Sequence, residues 1–195
     1  MMWPARSAIR PVPAHAVVPQ EAIDAVETEL DDADDLEGRI RVALREFDLA
    51  QPSLGGYVQG VLDVVTDDTA VALGQFLGVA VHRAFVEAFG QRVKRVEEAG
   101  LASTRATFEW DEELRRGAAD ELLESDDLVA IGQPHLMSFV REQLEAALEP
   151  DEDGDAPDVD LDAVAVIYRA ILIEILALGL AVAPPRGVMT TGVLM

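Results

Sequence analysis

From Ala163 to Ala183 the chain is apolar on every side of a helix, interrupted only by Tyr168, Arg169, Glu174 and Gly179. A helix that is hydrophobic all round must be covered all round, either by lipid or by the rest of the protein. The stretch is long enough for a bilayer, which takes about 20 residues. Arg169 and Glu174 argue against lipid, since a charge at the bilayer centre costs about 3 kcal/mol on insertion scales. The reading is therefore a buried central helix, and the other 170-odd residues of the 195-residue chain must supply its cover.

What surrounds it is also helical in pattern. Ala, Leu, Glu and Arg dominate, side chains that lose little freedom in a helix, and alternating strand patterns between turn signals are nearly absent. Half of the residues are hydrophobic but only 5% aromatic, so the core must be built from Ala, Val, Leu and Ile. The predicted fold is an all-α bundle of about six to eight helices with two long apolar central ones. Leu30, Ala33, Leu36, Ile40, Leu44 and Phe47 recur at helical spacing through 21–49, and Gly38 is expected to divide that stretch. Pro52 opens a helix to about Val65. Thr66-Asp67-Asp68 starts an apolar helix to Phe89, with Gly90 as a kink, a charged extension to Ala99 and Gly100 as its stop. A loop at Ser103 and Thr104 precedes a helix over about 109–124. Pro134 opens the next, ending near Leu148, and Asp160 caps the apolar helix 161–182, which Pro184-Pro185 ends. The boundaries that follow are an extended arm over 1–20, an all-α domain over 21–183 and a tail over 184–195.

The domain reads as an internal duplication, with halves of roughly 21–100 and 101–183. Gln51-Pro52-Ser53-Leu54-Gly55-Gly56-Tyr57-Val58 is echoed by Gln133-Pro134-His135-Leu136-Met137-Ser138-Phe139-Val140, and Leu62-Asp63 by Leu144-Glu145, at a constant offset of 82. Each copy leads through an acidic loop to a long apolar helix. Matching Asp68 to Asp160 sets Phe76 against Tyr168 and His82 against Glu174. Gly74 and Gly78 would let the first long helix approach its neighbour closely. The plainer alternative is that Gln-Pro is merely a recurring helix start.

Charge limits the partners. Asp and Glu number 37 against 15 Lys and Arg, for a net charge of -22. Such a chain repels phosphate backbones and anionic membrane surfaces. An acidic mimic of nucleic acid that inhibits a DNA-binding protein is one reading of that charge; solubility is a plainer one. The absence of cysteine excludes disulfides, thiolate metal sites and cysteine nucleophiles. Residues 1–20 hold four prolines and no apolar run, unlike a secretory signal, so a cytoplasmic location is expected.

No catalytic residue stands out. The sequence holds no G-x-S-x-G, no phosphate-binding glycine loop, no H-E-x-x-H, and no Glu three residues before His15, His82 or His135, as a di-metal helical bundle requires. Three weaker candidates remain. His82 and Glu174, with Tyr168, lie within apolar helical stretches and could form a ligand or metal pocket on the duplication axis; the plainer reading is a buried pair that fixes helix register. Glu149, Asp151, Asp153 and Asp160, around Gly154, resemble the acid spacing of a calcium loop. That loop departs from the pattern in beginning with Glu, ending in Asp rather than bidentate Glu, and carrying prolines, so a solvated linker fits it better, and no cofactor is predicted. Trp3, Arg6, Arg10, Leu194 and Met195 give the two tails cationic and apolar character suited to docking on a subunit or partner. The functional expectation is an interaction or assembly protein that binds a protein partner or itself, with a ligand-binding or enzymatic bundle as the alternative.

Overall fold

The computed structural model describes residues 7–31, 35–116, 123–149 and 159–185. Among these it is all-α, with eight helices: α1 (Gln20–Asp31), α2 (Leu36–Ala50), α3 (Pro52–Leu62), α4 (Asp68–Phe89), α5 (Glu98–Arg116), α6 (Ser125–Gly132), α7 (Pro134–Leu148) and α8 (Leu161–Ala181).

The most extensive helix pair is α4 with α8. The two run parallel. At their start the Asp160 N–H donates to Asp67 Oδ2 at 2.7 Å, and at their end Val93 and Val182 form an isolated antiparallel bridge. Asp67 also caps α4 through the Ala70 N–H, and Asp160 caps α8 through the Asp162 N–H; both place negative charge at the positive end of a helix dipole. Between those ends, Gly74 is where the helices close up. A Cβ there would lie 2.6 Å from Leu62 Cδ2 and 3.1 Å from Ile167 Cγ2. Both helices are long and apolar enough to cross a membrane by length and composition, but 56% and 72% of their apolar windows are buried in the bundle, as in core helices. Around α8 lie α3, α5 and α6, while α1, α2 and α7 lean on α4.

Several boundaries differ from the sequence expectation, each for a local reason. The break in 21–49 comes before Leu36, not at Gly38. Asp35 caps α2 by accepting the Gly38 N–H at 2.9 Å, so Gly38 sits in the first turn. Gly90 does not kink α4 but ends it, at φ +52°, a conformation that only glycine adopts cheaply. The chain then makes a 3-10 turn over 90–92 and runs extended, and α5 begins at Glu98. The charged extension to Ala99 is therefore absent, and Gly100 lies in a first turn instead of a last. Ser103 and Thr104 are helical too. Thr104 is buried, and its hydroxyl donates to the Gly100 carbonyl at 3.1 Å. The helix expected over 109–124 forms part of α5, while Leu123 and Glu124 are not helical, and α6, which the sequence pattern does not predict, is opened by a capping box between Glu124 and Asp127.

The described part of the arm, residues 7–19, is non-helical apart from one 3-10 turn over 14–16, with a bend at Ala8 and Ile9. It does not stand off in solvent: Ile9, Val12, Ala16 and Val18 are all in the core.

Candidate functional site

The proposed trio does not assemble. Tyr168 lies on the flank of α8 facing α6, where its hydroxyl donates to Asp126 Oδ2 at 3.0 Å, and Arg141 donates to the same oxygen at 2.9 Å. Burial raises its pKa to about 12. It borders an open cleft of about 530 Å³ with Phe108, Glu112, Arg116 and Arg169. Arg169 is taken up there by Glu112, which accepts from it at 3.0 Å through each carboxyl oxygen.

Glu174 points the other way. It is fully buried, beside Gly78: a Cβ on that glycine would sit 3.5 Å from Glu174 Oε2, an ordinary contact. Neither carboxyl oxygen has a hydrogen-bond partner, nor has His82 Nε2, so the two side chains do not pair. The His82 ring packs on Phe47 of α2 with centroids 4.8 Å apart. Burial pushes the Glu174 carboxyl well above the usual carboxylate range. Burial, and then the Arg83 charge, lower His82 to about 4. Burial thus favours the neutral form of each, which is how an unpaired group is tolerated in an apolar core.

Among the calcium-loop candidates, Asp151 and Asp153 lie outside the described residues. Glu149 is exposed at the end of α7, and Asp160 is engaged as the α8 cap. Among the described residues no cluster of three metal-binding side chains occurs. Of the tail candidates, Trp3, Arg6, Leu194 and Met195 lie outside the described residues, and Arg10 is exposed beside a cleft of about 330 Å³ that it shares with Ser103, Thr107, Leu176 and Leu180.

The polar chemistry of the interior is elsewhere, in three side chains that grip backbone. Gln133 is fully buried between α6 and α7. Its Nε2 donates to the Ala16 carbonyl at 2.7 Å, and its Oε1 accepts the Val18 N–H at 2.8 Å. Gln51, 2% exposed between α2 and α3, does the same to the chain after α4: Nε2 donates to the Lys94 carbonyl at 3.1 Å and Oε1 accepts the Val96 N–H at 2.7 Å. Each primary amide thus serves the carbonyl of residue i and the N–H of residue i+2, as a neighbouring β-strand would, although Ala16 itself closes the 3-10 turn. Gln51 thus reaches the lead-in to α5, and Gln133 the lead-in to α1.

The third grip is Asp111 of α5, also fully buried. Its Oδ1 accepts the Ala8 N–H at 2.8 Å and the Ser7 hydroxyl at 3.2 Å. Its Oδ2 accepts from Arg115 Nε at 2.6 Å and from the Ser125 hydroxyl at 2.9 Å, and Arg115 also donates to the Leu123 carbonyl at 2.6 Å. Burial works to raise the Asp111 pKa, but the hydrogen bonds from Arg115, Ser125 and Ala8 outweigh it and the net shift is downward. A charge so deeply buried is stable only because it is multiply hydrogen-bonded.

Together α5, α6 and α8 form a groove for residues 7–18. Asp111 holds one end and Gln133 the other. Between them Val12 lies against two glycines, with its Cγ atoms 3.2 Å and 3.1 Å from where Cβ atoms on Gly132 and Gly179 would be. No protein-family model, curated protein or solved structure matches the chain.

Proposed function

We propose that the protein is a non-catalytic helical assembly module that associates with copies of itself. One observation carries this reading: three of the buried polar side chains, Gln51, Gln133 and Asp111, are engaged on the backbone of the segments that lead into α1 and α5. Recognising another stretch of chain is what such an interior does well. Among the described residues the groups left unsatisfied, on Glu174 and His82, are enclosed by the core, where burial favours their neutral forms, a poor setting for acid–base chemistry on a substrate. Exposed apolar residues support the reading. Trp110 and Leu114, one turn apart on α5, are 63% and 42% exposed, and tryptophan is enriched at the energetic centres of interfaces.

Net charge opposes self-association, since 22 uncompensated negative charges per chain repel their counterparts. Contact must therefore come from apolar and hydrogen-bonded groups, and salt should favour it by screening the repulsion. No nucleic-acid or membrane partner is proposed, and a cytoplasmic setting suits a cysteine-free chain. The test is native mass spectrometry with sedimentation equilibrium at low and high salt. A dimer or larger species that strengthens with salt supports assembly; a monomer at all concentrations and salts refutes it. The cleft beside Tyr168 favours a second reading, a small-ligand site, which a bound small molecule in the same spectrum would support.

A further inference from the structure

We propose that the cleft shared by the arm, α5 and α8 binds a small monocarboxylate with a short aliphatic chain. The inference stands apart from the assembly reading and does not need it. The cleft holds about 330 Å³, a volume suited to a small ligand. What singles it out is the sign of its charge. In a chain with 37 acidic residues and 15 Lys and Arg, its lining contains Arg10 and no acid. Three other clefts, which hold Arg116 and Arg169, Arg105, and Arg141, each contain glutamate or aspartate as well.

The polar groups of this cleft are also uncommitted. Among the described residues Arg10, Ser103 and Thr107 make no hydrogen bond or ion pair, whereas Thr104 beside them bonds back to Gly100. Ser103 and Thr107 lie one turn apart on the same face of α5. Their hydroxyls can donate to one anion while the guanidinium takes it through two parallel N–H groups. Arg10 is also fixed in place before any ligand arrives, because its segment is held at Ala8 by Asp111 and at Val18 by Gln133. The rest of the lining is apolar. Leu176 and Leu180 are one turn apart on α8, and Leu180 is 53% exposed. An inorganic anion would leave that leucine in water, and a plain hydrocarbon would leave the three donors unused. A single carboxylate on an aliphatic stem satisfies both parts, since one arginine balances one charge.

The test uses the full-length protein and two probes, hexanoate and its uncharged counterpart hexanamide, followed by two-dimensional amide NMR. Hexanoate is expected to shift the amides of residues 8–10, 103–107 and 176–180, saturating at one ligand per chain. Hexanamide should bind at least about tenfold more weakly, because it lacks the charge-assisted pair. Arg10 is exposed and bonds nothing, so Arg10→Gln should keep the wild-type Tm. It should lower hexanoate affinity about tenfold and leave that of hexanamide unchanged. Shifts that never saturate or fall elsewhere, equal affinity for the two probes, or a variant that binds hexanoate as the wild type does would each overturn the proposal. Should the variant lose stability, the comparison of the two probes on wild-type protein decides alone.

Discussion

Replacing Glu174 with glutamine should remove a pH dependence that the folded protein derives from this one side chain. Burial holds its carboxyl well above the ordinary value of 4.5. Above pH 4.5 the unfolded chain has released that proton and the folded chain has kept it. Stability then falls as pH rises, by about 1.4 kcal/mol per pH unit for one proton, until the folded pKa is reached. His82 acts in the opposite sense. Its pKa drops from 6.5 to about 4 on folding, so between those values the unfolded chain holds the extra proton and stability rises with pH. The two slopes oppose each other above pH 4.5; that of His82 ends at 6.5, and that of Glu174 ends at its own folded pKa. Glu174→Gln is close in size and neutral at every pH, so the difference between wild type and variant isolates the carboxyl. The expected difference is small near pH 4.5 and grows by about 1.4 kcal/mol per unit in favour of the variant. Urea unfolding followed by circular dichroism at intervals from about pH 5 to about pH 8 reads it directly. A difference independent of pH would refute the reasoning, because it would mean that the carboxyl ionises in the folded protein as it does in water.

The other perturbations have distinct signatures. Gln133→Ala leaves the Val18 N–H and the Ala16 carbonyl without partners, at a cost of about 1–3 kcal/mol each; urea midpoints should fall accordingly, and amide exchange should rise first in residues 7–19. Gln51→Ala should cost a similar amount, with exchange rising at 94–96 instead. Asp111, with its lowered pKa, stabilises the fold above its unfolded value near 3.8 and ceases to as pH falls through the folded pKa; Asp111→Asn should flatten that acid limb in a pH titration of stability. Gly74→Ala should destabilise by about 1–3 kcal/mol through overpacking against Leu62 and Ile167. Gly78→Ala, which meets only ordinary contacts, should be neutral or stabilising by up to about 1 kcal/mol. Equal thermal shifts for these two variants would contradict the parallel packing of α4 on α8.

Where a helix start depends on local chemistry, the sequence was a good guide: Pro52, Asp67, Pro134 and Asp160 sit at or next to the first residues of their helices. Gly90 defeated the pattern because residues 91–99 hold good helix formers. What turns the chain there is tertiary: the bridge of Val93 to Val182 and the grip of Gln51 on Val96. Ser103 and Thr104 suggested a loop because their hydroxyls compete for backbone, yet Thr104 bonds back within its own helix. Glu174 and His82 could be picked out as buried from their apolar surroundings, but that no hydrogen bond joins them, and that the His82 ring packs on Phe47 of α2 instead, depends on tertiary packing. The two glutamines were legible as a repeat or a recurring helix start, but not as grips on distant backbone. Glutamine is not among the residues favoured as a helix N-cap, so its recurrence before two prolines pointed to a task beyond starting a helix. The arm gave less warning, since prolines mark an extended segment without saying what it lies against.

The arm's anchorage also decides how the molecule would bear tension. A pull on residue 7 does not reach α1 first, although α1 is its nearest helix in sequence. The load passes through Asp111 and Gln133 into α5 and α6, which belong to the second half of the sequence. Those hydrogen bonds must fail before any force arrives at α1, so the segment with the least structure of its own becomes the strap that shields the first helix from strain.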